Sequence, residues 1–156
     1  MGQNPWPDDF SEILEYQWND VLIPYWKEKV AFAKAHNVHK IALELHPGFC
    51  VYNTRSLLKL REAVGPEIGA NLDPSHLIWQ GMDLIAVIRE LGKANAIFHF
   101  HAKDTKVDAI NTAVNGVLDT QHYSEELTRS WIFRSVGYGH GEDYWKAIAS
   151  ELRLAG

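Results

Sequence analysis

Cysteine is nearly absent: Cys50 is the only one in 156 residues. No intramolecular disulfide can form, and a thiolate metal cluster is excluded. A single thiol fits a reducing, cytoplasmic compartment. Long apolar runs are missing too; none approaches the length that spans a bilayer, and the expectation is a protein with no membrane partner. Excess basic charge is also lacking. The formal net charge is −5 with His neutral, which disfavours a nucleic-acid partner, because phosphate backbones are normally met by basic surface. There is no internal repeat and no low-complexity run. What is present is an apolar share of 46% with six each of Trp, Tyr and Phe, enough for one domain over residues 1–156 with a genuine core.

The chain reads as alternating helices and strands. Residues 2–9 are rich in Asn, Pro and Asp and read as a loop. A helical stretch runs from Phe10 to His36, interrupted at Pro24, with Trp26, Val30 and Ala33 on one face. Asn37 stands where a left-handed cap belongs. The first strand is Ile41–His46, stopped by Pro47-Gly48. A helix from Thr54 to Val64 leads to the second strand, Ile68–Asp73, stopped by Pro74. A helix from Met82 to Leu91 follows, with Gly92 as its cap, then the third strand, Ala96–His101. The polar segment from Lys103 to Arg129 reads as a long lid or specificity loop. A short extended piece near 131–136 turns at Gly137-Tyr138-Gly139, and a last amphipathic helix runs from Asp143 to Leu154.

Side chains alternate across a strand. In the first strand Ile41, Leu43 and Leu45 oppose Ala42, Glu44 and His46. In the second, Ile68, Ala70 and Leu72 oppose Gly69, Asn71 and Asp73. In the third, Phe98 and Phe100 oppose Ile97, His99 and His101. Crossovers of helix length imply parallel pairing. An open doubly wound sheet needs two apolar faces. One face tipped three times with acid or imidazole suits a barrel interior, at the strand ends where barrel active sites sit. One Glu or His at a strand end is most often only solvated; three successive strands delivering such groups to one face point to a shared ligand. Glu44 and Asp73 side by side would repel each other, and a divalent cation removes that repulsion.

The runs A-L-E-L-H-P (42–47), N-L-D-P-S-H (71–76) and H-F-H-A-K-D (99–104) together resemble the sugar phosphate isomerase/epimerase family of the xylose isomerase-like barrel superfamily. The resemblance covers nearly the whole chain, and its specificity lies in the ordered set of motifs. It implies an α/β fold: a partial (β/α) TIM barrel of three parallel strands with flanking helices, lacking strands 1–4 and 8. The opening G-Q-N-P-W-P resembles the loop after the fourth strand. The resemblance gives Glu44, Asp73 and His101 the role of ligands to one divalent metal ion (Mn, Mg, Co or Zn). Glu44 and His76 become catalytic, His76 through substrate or a metal-bound water. His99, Lys103 and Asp104 line the mouth and contact substrate. Arg134 is either a phosphate or carboxylate ligand or a surface ion pair. His46 shares the parity of Glu44 but reads equally as a loop histidine.

The activity this implies is metal-assisted proton transfer next to the carbonyl of a small-molecule sugar or sugar phosphate. A fourth ligand, a strand-eight Glu that also serves as half of the acid–base pair, has no counterpart here, so little or no activity is expected of this chain alone. Two other readings stand beside it. L-D-P-S-H followed by Gly81-Met82-Asp83, and H-A-K-D-T-K, also resemble nucleases of the endonuclease IV type, but their trinuclear zinc site needs an Asp-x-His pair where this chain has Trp131-Ile132-Phe133-Arg134. The third reading is a non-catalytic half-barrel that needs a partner chain, with self-association through open sheet edges.

Overall fold

The computed structural model of the chain describes residues 9–156; the expected loop over residues 2–9 lies, apart from Asp9, outside them, as does G-Q-N-P-W-P. Helix α1 (Phe10–Tyr16) continues through a π-helical segment, Gln17–Leu22, into α2 (Ile23–Ala35). The helix is not interrupted at Pro24; its hydrogen-bond pattern changes from π to α just before it, for a local reason. Proline has no N–H to offer the Asp20 carbonyl, and its ring crowds that turn. The preceding amide, Ile23 N–H, donates to Trp18 O, five residues back. Asn37 then reverses the chain at φ 60°.

Strands β1 (Ile41–Glu44), β2 (Ile68–Leu72) and β3 (Ile97–Phe100) form a parallel sheet in the order β1-β2-β3. Between β1 and β2 runs α3 (Thr54–Val64), opened by a capping box in which Asn53 and Ser56 satisfy each other's backbone N–H. Between β2 and β3 lie a short helix, α4 (Pro74–Ile78), and α5 (Leu84–Lys93). Ile68, Ala70 and Leu72 are fully buried against Leu57, Leu60, Ile88 and Leu91. The apolar face of the sheet therefore meets the helices, and its other face carries the polar tips. Helix α7 (Glu142–Ala155) packs on α5. Among the described residues no helix is long and apolar enough to cross a membrane.

Three features depart from the sequence reading. Gly92 is not a cap: it sits inside α5, where a Cβ would come within 2.8 Å of the Ala155 Cβ. Its absent side chain lets α7 approach, and the reversal falls to Asn95 at φ 48°. Phe98 does not share the face of Phe100. The β2–β3 register slips between Ala70 and Asn71, pairing Ala70 with Ile97 and Asn71 with His99. Ile97 and Phe100 pack on the core while the Phe98 ring lies over Gly69, too close for any Cβ there. Finally, 103–129 is not a structureless loop. It contains β4 (Asp104–Val107) and α6 (Ala109–Asn115), and β4 pairs antiparallel with β5 (Trp131–Arg134). This second sheet is tied to the first by Thr105 Oγ1 donating to Ser75 O at 2.8 Å and by the Trp79 ring stacked on Trp131 at 4.6 Å.

Candidate metal centre

Three elements bring the polar tips together. Glu44 is the last residue of β1. Asp73 follows β2 and caps α4, its Oδ1 accepting from Ser75 N–H at 2.8 Å, which leaves Oδ2 turned to the site. The cap works because Pro74 occupies the first turn, where no N–H is needed. His101 follows β3, its backbone N–H donating to Leu72 O. One ligand atom from each of Glu44, Asp73 and His101 lies within 4.8 Å of the others, and no other such cluster occurs among the described residues. The three line an open depression of about 690 Å³ with Ala102, Lys103, Phe133, Arg134 and Ser135.

His76, on α4, reaches back under this cluster. Its Nε2 is 2.9 Å from Glu44 Oε1 and 3.6 Å from Asp73 Oδ2. Burial lowers its pKa and outweighs the opposing pull of Asp73 and of the Glu44 hydrogen bond, so at neutral pH the ring is uncharged. With its proton on Nε2 it donates to Glu44, and Nδ1 is left buried with no partner. His46 packs edge-on against it at 4.3 Å and Phe133 at 5.2 Å. His46 thus packs behind His76 rather than lining the depression, and its Nδ1 is held by Pro47 O at 2.6 Å. His101 is flanked by Asn71, whose amide nitrogen is 3.3 Å from both ring nitrogens. His99 touches His101 edge-on at 5.2 Å but is exposed and outside the depression.

Lys103 and Arg134 both line the depression. Lys103 Nζ lies 3.6 Å from Asp73 Oδ2 and 3.8 Å from the centre of the Phe133 ring. Arg134 pairs with Glu126 at 2.9 Å. Asp104 is not brought to the mouth. It is fully buried, and its carboxylate accepts from the backbone N–H of Thr105, Gly137, Gly139 and His140, from His140 Nδ1 and from Trp145 Nε1. Burial opposes its charge, yet the bonds from His140, Trp145 and Gly139 prevail and hold its pKa down to about 2. This carboxylate ties β4 to the loop after β5. A Cβ on Gly139 would strike the Thr105 carbonyl, so that close approach requires glycine. Phe133 was not singled out from the sequence. The signal was Trp131 and Phe133 two apart on one strand face, unreadable without knowing what that face meets.

Comparison with known proteins fits this architecture. The xylose isomerase-like TIM barrel family model matches residues 3–156. The chain is 46% identical over 151 residues to "Uncharacterized protein YfiH" of Bacillus subtilis (strain 168), a match covering 97% of this chain and 48% of that protein. The chain thus spans about half the length of this relative, whose printed name assigns no activity. With matched motifs, parallel strands and their polar tips in one place, the chain belongs to the xylose isomerase-like TIM barrel family.

Proposed function

We propose that this chain supplies the metal-binding part of a site for proton transfer next to the carbonyl of a sugar or sugar phosphate. The observation that carries the reading is the convergence of Glu44, Asp73 and His101 at the C-terminal ends of three neighbouring parallel strands. Two carboxylates and an imidazole, without sulfur, fit one Mn, Mg, Co or Zn ion. The Oδ2 of Asp73, which the helix cap does not use, and the acid–acid proximity fit it too. When bound there, such an ion supplies Lewis acidity toward the oxygens of a hydroxy-carbonyl ligand.

The chain's own groups do the rest. His76 is neutral and holds one oxygen of Glu44, so it orients that carboxylate without taking its charge. Glu44 is the base placed to move a proton at the carbon beside the carbonyl, a contribution of roughly 10²–10⁴-fold in general acid–base catalysis. Phe133 lines the depression and presents an aromatic face to it. A single three-ligand cluster among the described residues supports this reading over a trinuclear nuclease, as does β5, which carries neither Asp nor His.

The test is solvent exchange. The chain, and the full-length Bacillus subtilis relative beside it, are incubated with Mn²⁺ and a panel of ketoses and ketose phosphates in deuterated water. Loss of the proton signal next to the carbonyl is expected, strong for the full-length relative and weak for the chain alone, and Glu44→Gln should abolish what the chain shows with the circular-dichroism spectrum unchanged. Metal-dependent nicking of abasic DNA with no exchange into any sugar would overturn the proposal.

A further inference from the structure

The ammonium of Lys103 is placed in an unusual way. It has two attractive contacts, the Oδ2 oxygen of Asp73 at 3.6 Å and the face of Phe133 at 3.8 Å. It makes no hydrogen bond with any described residue, so its three N–H groups are uncommitted. Its side chain is about one-third exposed (38%) while the Asp73 carboxylate is buried (2%). A buried carboxylate needs a counter-charge, and the Lys103 ammonium is the cationic side chain set against Oδ2 of this one. Yet Oδ2 is the very oxygen that the metal reading leaves for a cation. One carboxylate oxygen cannot keep a close ammonium and a divalent ion together without strong repulsion between the two cations.

We propose that Lys103 is the site's internal counter-ion. Without metal it neutralises Asp73 from a seat on Phe133; when a divalent ion takes Asp73, the ammonium is displaced. Its free donors then turn to an oxygen of the ligand in the same depression. This inference rests on the metal reading above. Its consequence is competition: Lys103 weakens metal affinity and couples metal uptake to ligand binding, since the displaced ammonium gains a new acceptor only when ligand is present. Phe133 sets how firmly Lys103 is held before displacement, because a cation over an aromatic face is attracted to it.

Calorimetric titration with Mn²⁺ alone tests the competition. Lys103→Met keeps the length of the stem and removes the charge; it should bind Mn²⁺ at least about tenfold tighter than wild type, a change well within what a close charge pair can exert. Lys103→Arg restores the charge and should return affinity toward wild type. Phe133→Leu loosens the seat and should tighten binding about two- to fivefold. Arg134→Met removes a cation from the same depression but not from Asp73, and its effect should stay within about twofold. With Mn²⁺ saturating, glycolate is the ligand probe, its adjacent hydroxyl and carboxylate oxygens standing in for a hydroxy-carbonyl. Lys103→Met should lose about tenfold in glycolate affinity, and Lys103→Arg should keep most of it. Equal or weaker Mn²⁺ binding by Lys103→Met overturns the counter-ion role and leaves the metal reading standing. If neither wild type nor Lys103→Met takes up Mn²⁺, the metal reading fails and this inference with it. Tighter Mn²⁺ but unchanged glycolate binding refutes the transfer to ligand.

Discussion

Between residues 41 and 101 the chain buries mostly aliphatic side chains, with Asp73 and His76 as the exceptions at the site; between 104 and 134 it buries mostly polar and charged ones. In the first region Leu45, Leu57, Leu60, Ile68, Leu72, Ile88 and Leu91 have no exposed surface. In the second, Asp104, Thr105, Arg129 and Ser130 are buried while Ile110, Val114, Leu118 and Leu127 stand in solvent. The Arg129 guanidinium lies 4.7 Å from the rings of Tyr123 and Trp131, and it donates to the carbonyls of Gln121 and Trp131. Asp119 accepts from Ser130 and Gln121 N–H. Aliphatic burial is non-directional and scales with area. Bonds to buried polar groups are directional, and each leaves a costly orphan when its partner goes. The parallel region is thus a foundation. The antiparallel region is a set of specific anchors that places Phe133 and Arg134 beside the metal ligands.

The sharpest way to break this contrast is to damage each region in turn. Leu72→Ala removes a fully buried side chain between sheet and helices and should destabilise the whole fold by about 2–5 kcal/mol. Urea denaturation should show it, with hydrogen exchange accelerated in both regions. Arg129→Met should cost about 3 kcal/mol, because it strips buried carbonyls and Asp119 of a partner. Here the loss of amide protection should be confined to residues 104–134. If exchange instead rises equally in β2, the two regions are one cooperative unit and the contrast fails.

A smaller effect separates the regions by pH. The Asp104 carboxyl has a folded pKa of about 2 against an ordinary 3.8. A depressed acid contributes stability that is complete above its unfolded value and is lost as pH falls through the folded one. Asp104 therefore contributes about 2 kcal/mol at neutral pH, disappearing between pH 3.8 and about 2. Asp104→Asn should melt lower than wild type at neutral pH, and the two should converge in acid. A constant gap in melting temperature across that window would show that the anchor acts by shape rather than by charge.

Much of the foundation was legible beforehand. Alternation in Ile41–Leu45 and Ile68–Leu72 marked which side meets helices, and the parity of Glu44, Asn71 and Asp73 placed them on the other. The bounds of α3, Thr54–Val64, were legible, and there Asn53 and Ser56 form a local capping box; the start of α5 was not, since Asp83, read inside a helix from Met82, is its cap, with Oδ1 accepting from Ala86 N–H. Reading failed where one residue answers to a distant one. Gly92 resembled a cap because its contact with Ala155 lies in another helix. Phe98 kept its strand parity on paper, since a register slip is a property of two strands. Asp104 was assigned to the mouth by the resemblance of H-F-H-A-K-D (99–104), which shows none of its partners; most of its donors lie 33 to 41 residues further on.

Taken alone, the order of residues determined the parallel sheet, its apolar face and the carboxylate and imidazole types at its strand ends. These follow from side-chain period and from short-range steric rules, which act within a few residues. Only the tertiary structure decided that Oδ2 of Asp73 faces Lys103, that Phe133 seats that ammonium, and that Asp104 turns away to hold the Gly137–His140 loop. Those outcomes depend on which acceptor lies within about 3–4 Å of which donor once the helices have packed, a distance that sequence separation does not encode.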